Sequence, residues 1–176
     1  MRPAVDLLSQ YAEYHRDRRN IASHFVGVPM IVFAVGVLLA RPTFTLAGLE
    51  LSPAWIVFAL AAIWYLTRGD FTLGLAVSGA TAVLILLAQR AAEGSVLNWL
   101  AWGIGFFVVG WIIQFVGHWY EGRKPAFVDD IVGLLVGPMF VTAEAMFAFG
   151  WNKPLLAKIE ERAGPTTLRD MAKIVA

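Results

Sequence analysis

The 176-residue chain has no cysteine. That excludes a disulfide scaffold, a thiolate metal site and a cysteine nucleophile. Charge is scarce too: 15% of residues are Asp, Glu, Lys or Arg, against about 25% in an ordinary soluble domain. The net charge is only +1, so nothing argues for a nucleic-acid partner. No G-x-G-x-x-G and no P-loop occurs, which leaves no nucleotide fingerprint. Histidine is limited to three residues, His15, His24 and His118, so any metal site must draw on these, on carboxylates or on backbone oxygens.

What is abundant is apolar: 59% of residues are hydrophobic and the mean hydropathy is +0.66. A water-soluble globule would lack the polar surface to cover such a composition, so the chain reads as an all-α integral membrane bundle. A helix crossing the ~30 Å hydrocarbon core needs about 20 apolar residues. Charge-free runs cover 20–40, 51–67, 71–89, 94–120 and 131–143, the last resuming after Glu144 to 152. The run 51–67 is at the short limit. Arg68-Gly69-Asp70 reads as a tight turn joining the second and third runs into a hairpin.

The first 19 residues do not read as a signal peptide, because no small-residue cleavage site ends the apolar run that follows. Residues 4–18 instead predict an amphipathic helix lying on the membrane surface, with Val5, Leu8, Ala12 and His15 on one face, widened by Leu7, Tyr11 and Tyr14. The fifth run contains Gly133, Gly137, Pro138 and Glu144. Pro138 removes a helix hydrogen bond and invites a break, and a carboxylate at membrane depth is costly. Two readings stay open, a re-entrant or interfacial segment, or a plain fifth span. Lys and Arg counts favour the first. With re-entry the two sides carry twelve and two of the 14 basic residues, which puts both termini in the cytoplasm. With five full spans the split is even. The expected organisation is a membrane domain over 1–155 and a cytoplasmic tail over 156–176, in which Lys158, Glu161 and Arg162 form a solvated helix face.

His24 opens the first span and His118 closes the fourth. An even number of crossings returns the chain to the same face, so both lie at one membrane surface, and His15 precedes the first span on that face. A continuous helix would hold His15 and His24 about 13.5 Å apart and pointing opposite ways. A break is therefore expected at Arg18-Arg19-Asn20, with Asn20 as N-cap of the first span. Gln114, His118 and Glu121 follow i, i+4, i+7 spacing and form one stripe, so His118 and Glu121 could serve one metal. His24-Phe25-Val26-Gly27 is mirrored by Phe115-Val116-Gly117-His118, and glycines one turn below the histidines would permit close backbone approach. Pro29 frees the carbonyl of Phe25 near the site. Imidazoles and carboxylates without thiols suit non-haem Fe(II) with open positions. The same donors suit a zinc hydrolase. Histidines capped by backbone carbonyls need no metal at all.

Two segments carry a more specific signal. His15–Pro29 reads H-R-D-R-R-N-I-A-S-H-F-V-G-V-P, and Gln114–Ala126 reads Q-F-V-G-H-W-Y-E-G-R-K-P-A. The H-x4-N-x3-H-F-x-G-x-P pattern, the paired Q-F-x-G-H with E-x-R-x-P-A, and the later Gly137-Pro138-Met139-Phe140 with Glu144 resemble the membrane family of 2-hydroxy fatty acid dioxygenases of fatty acid α-oxidation. The resemblance spans roughly residues 5–155. It implies an Fe(2+)-dependent enzyme that takes a 2-hydroxy fatty acid and O2 and yields the acid one carbon shorter. It places iron on His15, His24 and His118. By position, Glu121 joins them as a catalytic and metal-binding candidate, and Asn20, Gln114, Arg123, Lys124 and Glu144 are substrate-binding candidates. The acyl chain is expected among Phe25, Phe33, Trp111, Phe115 and Phe140. The implied setting is a bacterial inner membrane with the site at the cytoplasmic face, membrane lipids as neighbours, and homo-oligomerisation open. Rival classes are a metal-dependent lipid hydrolase and a small carrier or scaffold, the latter favoured by Glu144 beside a Gly/Pro-rich segment.

Overall fold

The computed structural model describes residues 2–170. Lys173 and the rest of the tail beyond residue 170 lie outside the described residues. The fold is helical, with α1 (Ala4–Ala12), α2 (Arg18–Ala40), α3 (Pro53–Leu66), α4 (Phe71–Ala91), α5 (Val96–Leu100), α6 (Phe106–Glu121), α7 (Gly133–Ala148) and α8 (Lys153–Ala163). A π-helical turn, Ala101–Gly105, joins α5 to α6, so Val96–Glu121 runs as one 26-residue rod. Among the described residues, three helical stretches are long and apolar enough to cross a membrane: α2, α4 and Val96–Glu121. These associate the protein with the bilayer. The shorter apolar helices α3 and α7, of 14 and 16 residues, rise only about 21 and 24 Å. Ile63 on α3, Leu86 on α4 and Ile112 on α6 point outward, as an apolar solvent requires.

The 68–70 hairpin turn forms as expected. Gly69 takes a left-handed φ of 89°, and the Asp70 side chain caps α4 by accepting from Leu73 N at 2.9 Å. Between α2 and α3 the chain makes a β-hairpin not anticipated from the sequence, β1 (Phe44–Leu46) against antiparallel β2 (Leu49–Leu51). Ala47 and Gly48 turn it with φ of 51° and 80°, the pair of positive φ values that a two-residue hairpin needs.

Three other expectations are corrected. The N-terminal helix ends at Ala12, and its buried face of Ala4, Leu7, Leu8, Tyr11 and Ala12 packs on α7 and α8. Protein covers it because α8 presents its own apolar stripe, Leu155 and Ile159, to the same core. Lys158, Glu161 and Arg162 on the opposite face of α8 are exposed as expected, and the 155/156 boundary falls inside this helix. The chain break before α2 lies at residues 13–17, and Asp17 caps the helix by accepting from Arg19 N at 2.8 Å. Pro138 sits within a continuous α7. Packing on α1, α2 and α4 holds that helix across the missing hydrogen bond.

The α2–α6 seam sets the geometry of the site. A Cβ on Gly27 would come within 2.7 Å of Gln114 Cγ and 2.8 Å of the Gly110 carbonyl. A Cβ on Gly117 would collide with Ser23 Oγ and approach Asn20 Oδ1 to 2.6 Å. Both mirrored glycines therefore let the two backbones close up, and this draws His24 and His118 together.

Candidate metal centre

The turn at residues 13–17 folds α1 back over the mouth of α2 and α6 and lowers His15 between the other two histidines. His15, His24 and His118 are all buried, and each offers a ring nitrogen within 4.8 Å of those of the other two. Ring centroids lie 4.4 Å apart for His15–His24, 4.9 Å for His15–His118 and 5.1 Å for His24–His118.

The protonation pattern follows from the outer nitrogens. His15 Nδ1 lies 2.7 Å from the Tyr11 carbonyl, and His24 Nδ1 lies 2.9 Å from the Asn20 carbonyl. A carbonyl only accepts, so these contacts place hydrogen on both Nδ1 atoms and leave both Nε2 atoms as bare lone pairs. Yet the two Nε2 atoms face each other at 3.0 Å. An additional proton between them would put a charge in a buried site. Desolvation and the neighbouring imidazoles of His24 and His118 hold His15 well below its ordinary pKa. Two converging lone pairs that burial keeps unprotonated suit a shared cation. His118 Nδ1 is buried without a hydrogen bond of good geometry, with the Arg123 backbone as its neighbour. Carbonyl partners on the far nitrogen are the usual way a protein orients metal-binding imidazoles.

Around this trio the support is partly aromatic. Tyr11 stacks on His15 at 4.1 Å with the rings 5° from parallel, and Phe140 packs 5.3 Å from His15. Burial raises the Tyr11 hydroxyl pKa, so that hydroxyl stays a donor.

Glu121 is fully buried but is separate from the three-histidine group. Its Oε2 accepts from Arg16 N at 2.9 Å, Asp17 N at 2.7 Å and Asn20 Nδ2 at 3.2 Å. Its Oε1 lies 3.0 Å from the Arg169 guanidinium. Asn20 also donates to the Tyr14 carbonyl at 3.0 Å. Glu121 and Asn20 thus clamp the turn that carries His15. Glu144 faces the buried Arg16 at 3.9 Å. Arg123 donates to the Glu13 carbonyl, and Lys124 pairs with Asp129. Arg123 and Lys124 nevertheless rim an outer basin that reaches His118. Gln114 shares the wall of an inner vestibule with His118 and Tyr11.

Four contributors escaped the sequence reading: Tyr11, Arg16, Asp17 and Arg169. Tyr11 could have been found, since Tyr11–His15 and Asn20–His24 share the i, i+4 spacing that sets a carbonyl under an imidazole. Arg169 carried no local signal. The expected aromatic lining also divides. Phe25 and Phe115 are 40% and 51% exposed, on the outer surface. Phe33 packs on Trp102 and Phe106, Phe140 supports Tyr11 and His15, and Trp111 lines the interior cavities.

The fold and site define a helical membrane protein with a buried three-imidazole centre at one end of its bundle. The comparisons identify the group. A family described as 2-hydroxy-palmitic acid dioxygenase Mpo1-like matches residues 1–149, and the chain belongs to that family. It is 32% identical over 162 residues to the 2-hydroxy-palmitic acid dioxygenase MPO1 of Saccharomyces cerevisiae, covering 89% of this chain and 88% of the yeast protein. No solved structure matches the chain.

Proposed function

We infer that this protein is an oxidoreductase of lipid metabolism, an Fe(2+)-dependent dioxygenase that converts a 2-hydroxy fatty acid into the acid one carbon shorter. The observation that carries the reading is the pair of imidazole lone pairs converging at 3.0 Å from oriented, buried histidines, in a chain whose yeast relative bears a dioxygenase name. His15, His24 and His118 would hold the iron. Three neutral nitrogen donors without thiolate suit a first-row divalent ion that keeps open positions. When bound, Fe(2+) supplies the one-electron chemistry that lets O2 react and a Lewis acid for substrate oxygens.

The overall reaction balances with O2 as the oxidant. The C1–C2 bond breaks, C1 leaves as CO2, C2 becomes the new carboxyl carbon, and the four electrons lost by carbon reduce O2, whose atoms end in the products and one water. The roles left to side chains are binding and orientation. Arg123 and Lys124 at the rim attract the carboxylate. Gln114 and the Tyr11 hydroxyl on the vestibule wall offer hydrogen bonds to the carboxylate and the 2-hydroxyl. Stacking by Tyr11 and Phe140 excludes water from the His15 side. Asn20 and Glu121 act through the His15 turn, and Glu144 acts through Arg16. The site faces the cytoplasm of a bacterial inner membrane, and the tail beyond residue 155 lies on that side.

The test is the metal content of anaerobically purified protein. Wild type is expected to hold about one iron per chain and to take up O2 with a 2-hydroxy fatty acid, while His24→Ala and His118→Ala each hold close to none. Native zinc in place of iron, or iron retained by both variants, would overturn the reading.

A further inference from the structure

The inner vestibule does not end at the histidines. Besides Tyr11, Gln114 and His118, its wall includes Ile31, Val32, Trp111, Leu134 and Pro138. Those last five residues also line a second, partly open cavity of about 280 Å³ between α2, α3, α4, α6 and α7. Its remaining wall is almost wholly apolar, with Thr81 and Tyr65 the polar side chains, and the Tyr65 hydroxyl is taken up by the Leu135 carbonyl at 3.1 Å. Along α2 the cleft runs from Ile31 to Leu39. Those residues lie seven and fifteen positions beyond His24, about 10 and 22 Å along the helix axis. Leu39 is the lining residue of α2 farthest from His24, and Ala54 at the start of α3 lines the same cleft, so Leu39 marks its far end along α2. A polar vestibule at the imidazoles thus adjoins an apolar cleft directed into the membrane-embedded part of the bundle.

We propose that this cleft is the acyl-chain site and that the residues at its far end, Leu39 foremost, set the chain length the protein accepts. The inference rests on the dioxygenase reading, because a 2-hydroxy fatty acid has the matching shape: two polar oxygen groups at one end and a flexible apolar tail. Two features of the structure favour this occupant over a bilayer lipid lying in a surface groove. The cleft shares five lining residues with the vestibule, and the aromatic side chains on the outer face, Phe25 and Phe115, line neither space. Chain length is then read by how many methylenes find apolar wall. Each methylene kept out costs about fourfold in affinity.

Three variants on the cleft wall test this: Val35→Trp and Leu39→Trp to plug it at two depths, and Leu39→Ala to lengthen it. Each is measured with a series of short to long 2-hydroxy fatty acids in two ways. One is kcat/KM by oxygen uptake. The other is displacement of a fluorescent fatty acid from detergent-solubilised protein, which needs no turnover. The expected result is a graded shift. Val35→Trp cuts long chains at a shorter length than Leu39→Trp does, by tenfold or more for the longest, with short chains within about twofold of wild type. Leu39→Ala moves the preference toward longer chains. If a tryptophan variant fails to fold, the remaining plug and Leu39→Ala decide. An equal effect at every length, or none, in both measurements overturns the cleft while leaving the dioxygenase reading intact if wild type turns over. Length-dependent binding that shifts as expected without any turnover by wild type keeps the cleft and overturns the dioxygenase reading.

Discussion

Glu121 accepts from two consecutive amides, Arg16 N and Asp17 N. Because one carboxylate oxygen receives both, it fixes the backbone on the C-terminal side of His15. A residue acting through another in this way has a different signature from a ligand. Glu121→Gln retains one acceptor oxygen, so iron affinity is expected to fall about 10- to 100-fold while some iron remains. Metal titration of the apo protein checks this; a loss as complete as in His24→Ala would make Glu121 a ligand. Asp17 stands beside it. Arg19 donates to both carboxylate oxygens and the Arg169 amide to one, and these bonds hold the Asp17 carboxyl down at about 2. A carboxyl depressed in the folded state stabilises the fold above its unfolded pKa of about 3.9 and loses that contribution as pH falls through its folded value. The gap in melting temperature between wild type and Asp17→Asn is therefore expected to be full near neutral pH and to shrink as pH drops from about 4 toward 2. A gap independent of pH would refute the assignment.

At the scale of elements, the strand-like segment after α8 is a strap on the turn that carries His15. Thr167 forms a parallel bridge to Asp17, through Arg18 N to the Thr167 carbonyl at 3.0 Å and Thr167 N to the Arg16 carbonyl at 2.8 Å. The Arg169 carbonyl then accepts from Arg19 Nη2 at 2.8 Å, and its guanidinium reaches Glu121. A chain cut after Gly164 keeps α8 and its packing on α1 but loses every one of these contacts. Its expected phenotype is an intact helical circular dichroism spectrum with iron affinity about tenfold weaker, read by the same titration; unchanged affinity would show that the turn holds His15 without the strap. The β-hairpin at the other end of the bundle has no such link to the site. Ala47-Gly48 gave only a faint turn signal in the sequence, since alanine seldom takes positive φ.

For the whole molecule, the charge count predicts direction in the membrane. Twelve of 14 basic residues fall on the side of the histidines when α7 does not add a net crossing. The chain's lack of cysteine makes this directly measurable. In intact cells a membrane-impermeant maleimide is expected to label Glu93→Cys, in the exposed loop between α4 and α5, and to spare Glu161→Cys on α8 until the cytoplasmic face is opened. The reverse pattern would turn the molecule over and put its three histidines outside.

The sequence alone determined the helical membrane class, the one-sided placement of the three histidines and the glycine seam beneath two of them. It could do so because hydropathy, crossing parity and the i, i+4 relation are all local or additive along the chain. Only the tertiary structure decided what covers α1, where the chain breaks before α2, and how Glu121, Asp17 and Arg169 share the task of holding His15. Glu121 and Arg16 are 105 positions apart and Arg169 and Asp17 are 152 apart, and no periodicity reports contacts at that separation. The cleft below the histidines is of the same kind. It is the space left between five helices, and helix packing, which no single segment encodes, gives it its depth and its floor.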